Sequence, residues 1–230
     1  MGTPESAQRL AALATRGTLP DNLRNEAIAA LGSWAKPPAR DRVVGTYRPL
    51  KDREPVAAQG ALLPSAASLL TNGPAEVRIA AADAVASLGL KDAAPRLESL
   101  VRDTNAPAKA RAAGLRALTR IDREAPGLRP LVEFAARDSA EAVRLEASRI
   151  GAELNPSDAL GQLTAKLSNG TTAEKQSAFT SLGTLASDGA DAVLADWLER
   201  LMKREVANEV MLDLVAAARL RKADVVKSRV

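Results

Sequence analysis

The residues best suited to chemistry in this chain are basic side chains that recur at a fixed spacing. Arg78, Arg111 and Arg144 follow one another at intervals of 33 positions, and looser copies of the same pattern begin at Arg24 and Lys175. A row of positive charge on one face of a protein can bind phosphate groups or acidic peptides. The same side chains can instead bind neighbouring turns and hold helices in place. We call these five residues the basic ladder.

A residue typical of turns and helix caps stands six positions before four of the ladder residues. These residues are Asn72, Asn105, Asp138 and Asn169, whereas the first copy has Thr18 at this place. A guanidinium beside such a turn can hydrogen-bond the Asn or Asp of its own repeat or of the next one. The fixed offset therefore favours a structural ladder over a binding surface.

Histidine and cysteine are absent from the sequence, and their absence excludes several classes of site. Zinc sites built on these residues, Ser-His-Asp triads, Cys-His dyads, disulfides and haem attachment through CxxCH all lack their residues. Carboxylate pairs such as Asp188 and Asp191 lie at predicted helix starts, where acidic side chains stabilise the helix dipole. We therefore assign no catalytic, cofactor-binding or metal-binding residue, and we expect neither enzyme activity nor a cofactor.

Composition predicts that the elements carrying these residues are helices. The 230 residues include 48 alanines and 31 leucines, both strong helix formers, whereas aromatic residues make up only 2%. The net charge is +4, and acidic residues are mixed among the basic ones. No apolar run approaches the ~18 residues of a membrane-spanning helix, so we expect no membrane insertion.

The helical pattern repeats together with the basic ladder. In the second repeat, Arg78 is followed by Ala81, Val85 and Leu88, at offsets that fall on one face of a helix. Turn sequences such as Asn72-Gly73-Pro74 separate this helix from a shorter amphipathic helix before it. The predicted fold is all-α: a right-handed α-α superhelix of about six helix pairs, in one domain over residues 1–230. The predicted pairs cover about 5–35, 57–89, 91–121, 125–154, 157–187 and 189–221.

The pattern Val77-Arg78-x-x-Ala81-x-x-Ala84, with a close copy from Val143 to Ile150, resembles the second helix of a HEAT repeat. HEAT repeats also carry an Asp in the turn and an Arg at this spacing. Tetratricopeptide and ankyrin repeats have similar periods, but their sequence signatures are missing here. The resemblance implies a HEAT-like solenoid in which the second helices line the concave face.

An insertion interrupts the period between the first two repeats. Arg24 and Arg78 are 54 positions apart, which leaves 21 extra residues at about 36–56. We call residues 36–56 the arm. The arm has four prolines, the only tyrosine, and six basic against three acidic residues. A non-helical segment of this length is usually functional or disordered.

The arm is predicted to be ordered and to contact a partner. Its apolar residues Val43, Val44, Tyr47 and Leu50 are expected to pack against the superhelix, which would leave the arginines facing outward. Arg and Tyr are enriched in the energetically important parts of interfaces. The candidate partner contacts are Arg40, Arg42, Tyr47, Arg48 and Arg53. In the alternative, the arm only covers an apolar edge and its arginines pair with local acids.

Two further stretches resemble the helical region of large secreted bacterial proteins. One is Trp34-Ala35-Lys36-Pro37 followed by residues 41–50, and the other runs from Ala190 to Leu198 and on through 209–214. Those proteins combine a membrane-bound-dehydrogenase-type β-propeller, a HEAT segment and a c-type cytochrome domain. The resemblance implies a scaffold in a periplasmic or secreted protein; without it, we expect the cytoplasm. The family's CxxCH and dehydrogenase residues have no counterpart here.

The sequence therefore predicts a non-enzymatic scaffold or protein-interaction module, as a segment of a larger multidomain redox protein. Its partner is expected to be a protein, either the flanking propeller and cytochrome domains or a separate chain. The alternative is a nucleic-acid-binding HEAT-like domain that uses the basic face of its second helices, although interleaved acids and scarce aromatics oppose it. A further alternative is an enzyme such as a HEAT-type bilin lyase, for which no residue argues.

Overall fold

A computed structural model describes residues 2–42 and 44–227 and shows helices joined by short turns. Its α-helices are α1 (Pro4–Thr15), α2 (Asp21–Gly32), α3 (Val56–Asn72), α4 (Ala75–Ser87), α5 (Ala94–Arg102), α6 (Ala108–Ile121), α7 (Leu128–Ala135), α8 (Glu141–Leu154), α9 (Pro156–Asn169), α10 (Thr172–Thr184), α11 (Asp188–Met202), α12 (Asn208–Arg219) and α13 (Asp224–Lys227). A 3-10 turn at Lys91–Ala93 precedes α5. Within the described residues there is no β-strand.

Within residues 2–42 and 44–227 the helices follow one another in six helix-turn-helix pairs, α1–α2 through α11–α12, with α13 after the last pair. The prediction of an all-α, HEAT-like solenoid with a non-helical insertion after its first pair is confirmed. Contacts divide the chain into two compact units, Met1–Leu128 and Arg129–Val230, which we call unit 1 and unit 2 and describe separately. The single domain over 1–230 stays a prediction. In the part of the chain that is described, no helix combines the length and apolar character needed to cross a bilayer.

Helix starts follow local chemistry. The Thr3 side chain caps α1 by accepting from Ser6 N at 3.3 Å. At α10 a capping box is present, as its Thr-x-x-Glu sequence predicts, because Thr171 caps Glu174 N and the Glu174 carboxylate accepts from Thr171 N at 3.0 Å. The prolines before α2, α4 and α6 are N-cap residues. Their fixed φ still sets the direction from which the chain enters each helix.

In unit 1, α2, α4 and α6 stack on one another, and α1, α3 and α5 form a second row against them. Small residues let the stacked helices approach closely. A Cβ added at Gly32 of α2 would lie only 3.0 Å from Ala84 Cα of α4. The core is correspondingly rich in alanine, with buried leucines such as Leu62 and Leu97 filling the space between the rows. This close packing holds the ladder residues of α2, α4 and α6 at regular intervals.

In unit 2, α10 packs against α8, α9 and α12, and α11 packs against α12 and α13. Gly183 of α10 meets Ala217 of α12, where an added Cβ would lie 2.9 Å from Ala217 Cα. The largest fully buried side chain is Phe179, whose ring meets Trp197 edge-on at a centroid distance of 5.3 Å. These contacts position α12 and the turns on either side of α10.

The arm contains one short antiparallel pairing within a longer irregular path. Arg40 and Tyr47 form a single β-bridge, and Arg48 N donates to Ala39 O at 2.8 Å. Asp41 N donates to Thr46 O at 2.8 Å inside this pairing. Gly45 has a positive φ of 70°, which glycine adopts without the strain a Cβ would cause. Within residues 36–42 and 44–56 the arm is therefore a turn held by main-chain hydrogen bonds, its order stays a prediction, and α3 begins at its last residue, Val56.

Candidate interaction surfaces

Two ladder residues of unit 1 bind main-chain carbonyls in their own turns. Arg78 Nε donates to Gly73 O at 2.7 Å, and Arg111 Nε donates to Ala106 O at 3.2 Å. Carbonyls at a helix end lack intrahelical partners, and a charged donor satisfies them well. Each guanidinium therefore ties the start of a second helix to the turn that precedes it.

Arg24 plays the same part in the first pair. Its Nε donates to Ala14 O near the end of α1 at 3.0 Å, and its Nη1 lies 3.2 Å from Asp21 Oδ1. The Arg24 side chain is buried, so its charge faces these groups and not solvent. It thus ties α2 to the helix before it.

The ladder residue Arg144 of unit 2 binds two turns at once. Its Nη1 donates to Asp138 O at 3.0 Å and to Ser139 O at 2.9 Å, while its Nε donates to Glu174 Oε1 at 2.8 Å. The main-chain N–H of Thr171 and the Arg144 guanidinium hold the pKa of Glu174 below its usual value. The next ladder residue, Lys175, is half-buried and forms no ion pair within 4 Å among the described residues of unit 2.

The turn residues predicted to pair with the ladder are placed differently from the expectation. The side chains of Asn72, Asn105 and Asn169 are exposed at helix ends or turns. Asp138 is buried, and its Oδ1 accepts from Ala140 N at 2.8 Å, just before α8. The expected bond between the guanidinium and the Asn side chain is thus corrected for Arg78, whose partner is the Gly73 carbonyl. A carbonyl freed at a helix end is a fixed acceptor, whereas an exposed Asn side chain must first be ordered.

The second helices of unit 1 line an open groove of about 970 Å³ between α2 and α4. Its charged lining is mixed, with three acids and three bases: Glu26, Glu76, Asp83, Lys36, Arg42 and Arg120. Asp83 lies 3.8 Å from Arg116, which further reduces any net field. The ladder arginines of unit 1 are not part of the lining, because their guanidiniums turn toward the helix ends. A nucleic-acid site needs concentrated positive charge, so this groove weighs against the nucleic-acid alternative.

Two arginines anchor the arm to unit 1. Arg42 binds Glu26 of α2 with both ends of its guanidinium, at 2.8 Å for Nε and 3.4 Å for Nη2. Arg53 Nε donates to Trp34 O at 3.1 Å, and its guanidinium carbon lies 4.5 Å from the centre of the Trp34 ring. Arg53 N also donates to Ala35 O at 2.9 Å. A planar guanidinium suits both kinds of contact, with a carboxylate and with an aromatic face.

The apolar residues of the arm face solvent instead of the helices. Val44 is 72% exposed, Tyr47 67% and Leu50 43%, whereas Val43 lies outside the described residues. The prediction that these residues pack against the superhelix is therefore wrong for Val44, Tyr47 and Leu50. The predicted outward role of Arg42 and Arg53 is corrected as well, because both face unit 1.

The remaining candidate contacts of the arm are at its surface. Arg40 is exposed and donates from Nη1 to Gly45 O at 3.2 Å, and Arg48 is exposed beside it. Tyr47 lies opposite Arg40 in the β-bridge, between Val44 and Leu50 along the chain. The structure thus brings Arg40, Tyr47 and Arg48 together on one exposed turn. We call Val44, Tyr47 and Leu50 the arm patch.

Sequence reasoning missed an extensive arginine site in unit 2. Arg221 binds Asp191 through two bonds, Nε to Oδ1 at 2.7 Å and Nη2 to Oδ2 at 3.0 Å. Its guanidinium also donates to Leu185 O and to Ser187 O. Arg221 holds the pKa of Asp191 below its usual value. Asp191 is therefore a structural partner of Arg221. The pair of carboxylates at the start of α11, Asp188 and Asp191, does not need to be explained by catalysis.

A weak sequence signal for this site does exist. Asp191 and Arg221 are 30 positions apart, the same separation as between Arg144 and Glu174. Opposite charges separated by about one repeat length can meet across neighbouring repeats. The signal is weak because charged residues make up 26% of the chain, so many such pairs occur by chance.

Comparison with solved structures shows a similarity to the complex of CpcE and CpcF of phycocyanin lyase from Nostoc sp. PCC7120. The identity is 21%, the match covers 95% of this chain and 95% of that chain, and the TM-score is 0.44. No protein-family model matches the chain, and no curated protein matches it.

The comparison corrects one prediction. We expected this chain not to be an enzyme, and the finding that contradicts this is that the similar all-helical protein is a lyase. The exclusion of enzyme activity is withdrawn, while the lyase activity itself belongs to that complex. The link to dehydrogenase and cytochrome proteins found no support in the comparisons and stays a prediction.

Proposed function

We propose that this helical-repeat protein is a protein-interaction module and that its arm is the surface that contacts the partner. The observation that carries the proposal is the orientation of the arm. Its arginines Arg42 and Arg53 fix it to unit 1, while the arm patch faces solvent.

The anchored arm is suited to binding because it is ordered before a partner arrives. Ordering a loop on binding costs free energy, and a loop already held in place avoids that cost. Arg42 and Arg53 hold the arm near its middle and near its end, on Glu26 and Trp34. The pairing of Arg40 with Tyr47 shapes the turn between them.

The chemistry of the exposed turn indicates the kind of partner surface. The three exposed apolar side chains of the arm patch lie within seven residues, so they are clustered along the chain and not scattered singly over the surface. Arg40, Arg48 and Lys51 are exposed around them. A surface with an apolar pocket and an acidic rim would complement this turn.

The repeat architecture does not require the arm. The next two helix pairs of unit 1 are joined by only a few residues, between α4 and α5. Removing the insertion would leave the 33-residue period intact. A segment of this length that the fold does not need, and that is nevertheless ordered, supports a role in binding.

The test places a photo-crosslinking amino acid at Tyr47 in the chain produced in its native host. A matched control carries the same group at Leu23, an exposed leucine of α2 in unit 1. We expect a discrete protein adduct from position 47 and none from position 23. Adding Val44→Ser and Leu50→Ser should abolish the adduct while the free energy of unfolding changes by less than about 0.5 kcal/mol, because both residues are exposed.

Equal adducts at the two positions, or none at position 47, would contradict the proposal. The mass of an adduct also identifies its partner. Crosslinking to a propeller or cytochrome protein would support the multidomain scaffold, which stays a prediction drawn from the sequence resemblance.

A further inference from the structure

We infer that a pocket formed by α7, α8 and α9 in unit 2 binds a small zwitterion with an apolar body, of the kind represented by a hydrophobic α-amino acid. The pocket has a volume of about 290 Å³, which is at the lower end of the range for small-molecule sites. All of its lining residues belong to unit 2. The inference is therefore independent of the arm and of the partner proposed for it.

The pocket lies where α8 lacks a side chain that the other ladder helices have. Seven positions after the ladder residue, α8 has Gly151, which lines the pocket. The corresponding residues of α2, α4, α6 and α10 are large and apolar: Leu31, Val85, Leu118 and Leu182. Three of these four are fully buried, and Leu118 packs against the core of unit 1. The repeat pattern thus places a core side chain at this position, and α8 leaves the space open.

Neither the backbone nor close packing requires a glycine at position 151. The φ angle of Gly151 is not positive, so an L side chain is compatible with its backbone. An added Cβ would lie 3.6 Å from Val132 Cγ1, which is an ordinary van der Waals contact. At Gly183, by contrast, it would lie 2.9 Å from Ala217 Cα. Because a missing core side chain costs stability, the open space at Gly151 indicates that the space is used.

The floor of the pocket is apolar. Val132 of α7, Ala147 of α8 and Ala159 of α9 line it and are buried, and Leu154 lines it half-buried. Walls of this kind give an ordered water few hydrogen-bond partners, so they favour an apolar group. At about 30 Å³ for each molecule of liquid water, the volume corresponds to about ten waters. A branched aliphatic or benzyl side chain therefore fits this floor.

The rim on α7 carries charges of both signs. Arg129, Glu133 and Arg137 line the pocket, are exposed, and follow one another at intervals of four residues. Opposite charges at this spacing on a helix can pair with each other. In the described part of unit 2, however, none of the three takes part in an ion pair within 4 Å. A zwitterion satisfies both signs, because its carboxylate accepts from an arginine while its ammonium donates to Glu133.

The rim on α9 adds a second acid and an amide. Asp158 and Gln162 are exposed there, four residues apart. The Asp158 carboxylate accepts from Asn155 Nδ2, and Asn155 Oδ1 accepts from Ser157 Oγ at 2.8 Å, so Asp158 is held at the pocket. The charged lining is balanced, with two cations and two anions: Arg129, Arg137, Glu133 and Asp158. A ligand that carries both charges matches this balance better than a plain cation or a plain anion.

The experiment titrates L-phenylalanine into the ¹⁵N-labelled whole chain and follows the amide signals at the end of α8 by NMR. For a ligand of this size we expect a Kd of about 0.1–2 mM. Phenethylamine lacks the carboxylate and 3-phenylpropionate lacks the ammonium, so each should bind at least about threefold more weakly. L-Glutamine keeps both charges but has a polar body, and it should bind at least about tenfold more weakly.

Filling the pocket should abolish binding without unfolding the chain. Gly151→Leu supplies the side chain that α2, α6 and α10 have at this position, so it should weaken L-phenylalanine binding at least about tenfold and leave the melting temperature unchanged or raised. The control Gly60→Leu, at an exposed glycine of α3 that does not line this pocket, should leave the affinity unchanged. Should Gly151→Leu fail to fold, Gly151→Ala adds a single methyl group and should weaken binding about two- to threefold.

Charge variants test the recognition of each end of the zwitterion. The double variant Arg129→Gln with Arg137→Gln should weaken L-phenylalanine binding about three- to tenfold and leave phenethylamine binding unchanged. Glu133→Gln should weaken L-phenylalanine binding to a similar degree and leave 3-phenylpropionate binding unchanged. All three side chains are exposed, so the melting temperature should stay close to that of the original chain.

Three outcomes would overturn the inference. No shift of the α8 amides at about 10 mM L-phenylalanine would mean that the pocket does not bind this class of ligand. Equal affinities for L-phenylalanine and 3-phenylpropionate would mean that the ammonium is not recognised. Unchanged binding to a folded Gly151→Leu or Gly151→Ala variant would mean that the ligand binds elsewhere.

Discussion

Arginines bind turns in both units, but they do so with different partners. In unit 1, Arg78 and Arg111 each donate to a carbonyl five residues earlier in the chain. In unit 2, Arg144 and Arg221 bind carbonyls and also a carboxylate 30 residues away. The first arrangement fixes a turn to its own helix, and the second joins neighbouring repeats.

The difference determines what each site contributes to stability. A guanidinium bound to a carbonyl, as at Arg78, leaves behind one unsatisfied neutral group when it is removed. A guanidinium bound to a shielded carboxylate leaves behind a charge without its partner, which costs more free energy. The stability that the carboxylate sites contribute also depends on pH. The stability contributed by bonds to carbonyls does not change over the pH range in which carboxylates titrate.

The largest effect is expected for Arg221→Ala. This substitution removes four hydrogen bonds and leaves the largely buried Asp191 carboxylate without its cation. We expect the free energy of unfolding to fall by about 3 kcal/mol. Urea denaturation of the whole chain measures it. Lys222→Ala, at the neighbouring exposed residue, is the control and should change stability by less than about 0.5 kcal/mol.

A fall of less than about 1 kcal/mol for Arg221→Ala would mean that solvent screens the pair as it screens surface ion pairs. The contrast between the two units would then rest on geometry alone.

The next effect is expected for Arg144→Ala, at about 2 kcal/mol. It is smaller because the Glu174 carboxylate keeps its bond from Thr171 N after the arginine is removed. A double-mutant cycle with Glu174→Gln, measured by urea denaturation, should give a coupling energy of about 1 kcal/mol between the two side chains. Additive losses would show that the two residues act independently and would break the proposed link between repeats.

Acid should remove the contribution of the charged sites. The pKa values of Asp191 and Glu174 lie below their ordinary values of 3.8 and 4.5, because each carboxylate accepts hydrogen bonds. A lowered pKa stabilises the folded state above the ordinary value, and this stabilisation is lost as pH falls through the folded-state pKa. The stability difference between the original chain and Arg221→Ala should therefore narrow below about pH 4. Urea midpoints at pH 7, 5, 4 and 3 measure it, and a constant difference would contradict the assigned role of Asp191.

Much of this arrangement could be predicted from the sequence. The 33-residue period and the turn residues before Arg78, Arg111 and Arg144 predicted the helix pairs and their ladder, because helical periodicity reports which face is buried. The capping box at Thr171 and Glu174 could also be predicted, because its hydrogen bonds join residues only three positions apart.

The rest depends on contacts that local pattern does not encode. In the arm there is no helical or strand period, so the burial of its side chains cannot be inferred from spacing. Hydrophobicity predicted that Val44, Tyr47 and Leu50 anchor the arm. Instead, Arg53 stacks on Trp34 and Arg42 pairs with Glu26, and these two contacts set the orientation of the arm. Nonlocal contacts of this kind override residue preference.

The smallest effect is expected for Arg78→Ala, and it sharpens the comparison between the units most directly. Arg78 is half-buried, and its Nε donates to the carbonyl of Gly73, which follows α3. Loss of this bond leaves a neutral carbonyl that water can partly reach, so we expect the free energy of unfolding to fall by about 1 kcal/mol. No carboxylate takes part, so this loss should be the same at pH 7 and pH 3. Urea denaturation at both values measures it, and Glu76→Gln, at an exposed residue of α4, serves as the control. A loss as large as that of Arg221→Ala, or one that shrinks in acid, would show that the Arg78 site also depends on charge. The distinction between turns held by carbonyls and repeats joined by carboxylates would then fail, since the two kinds of arginine site would respond alike.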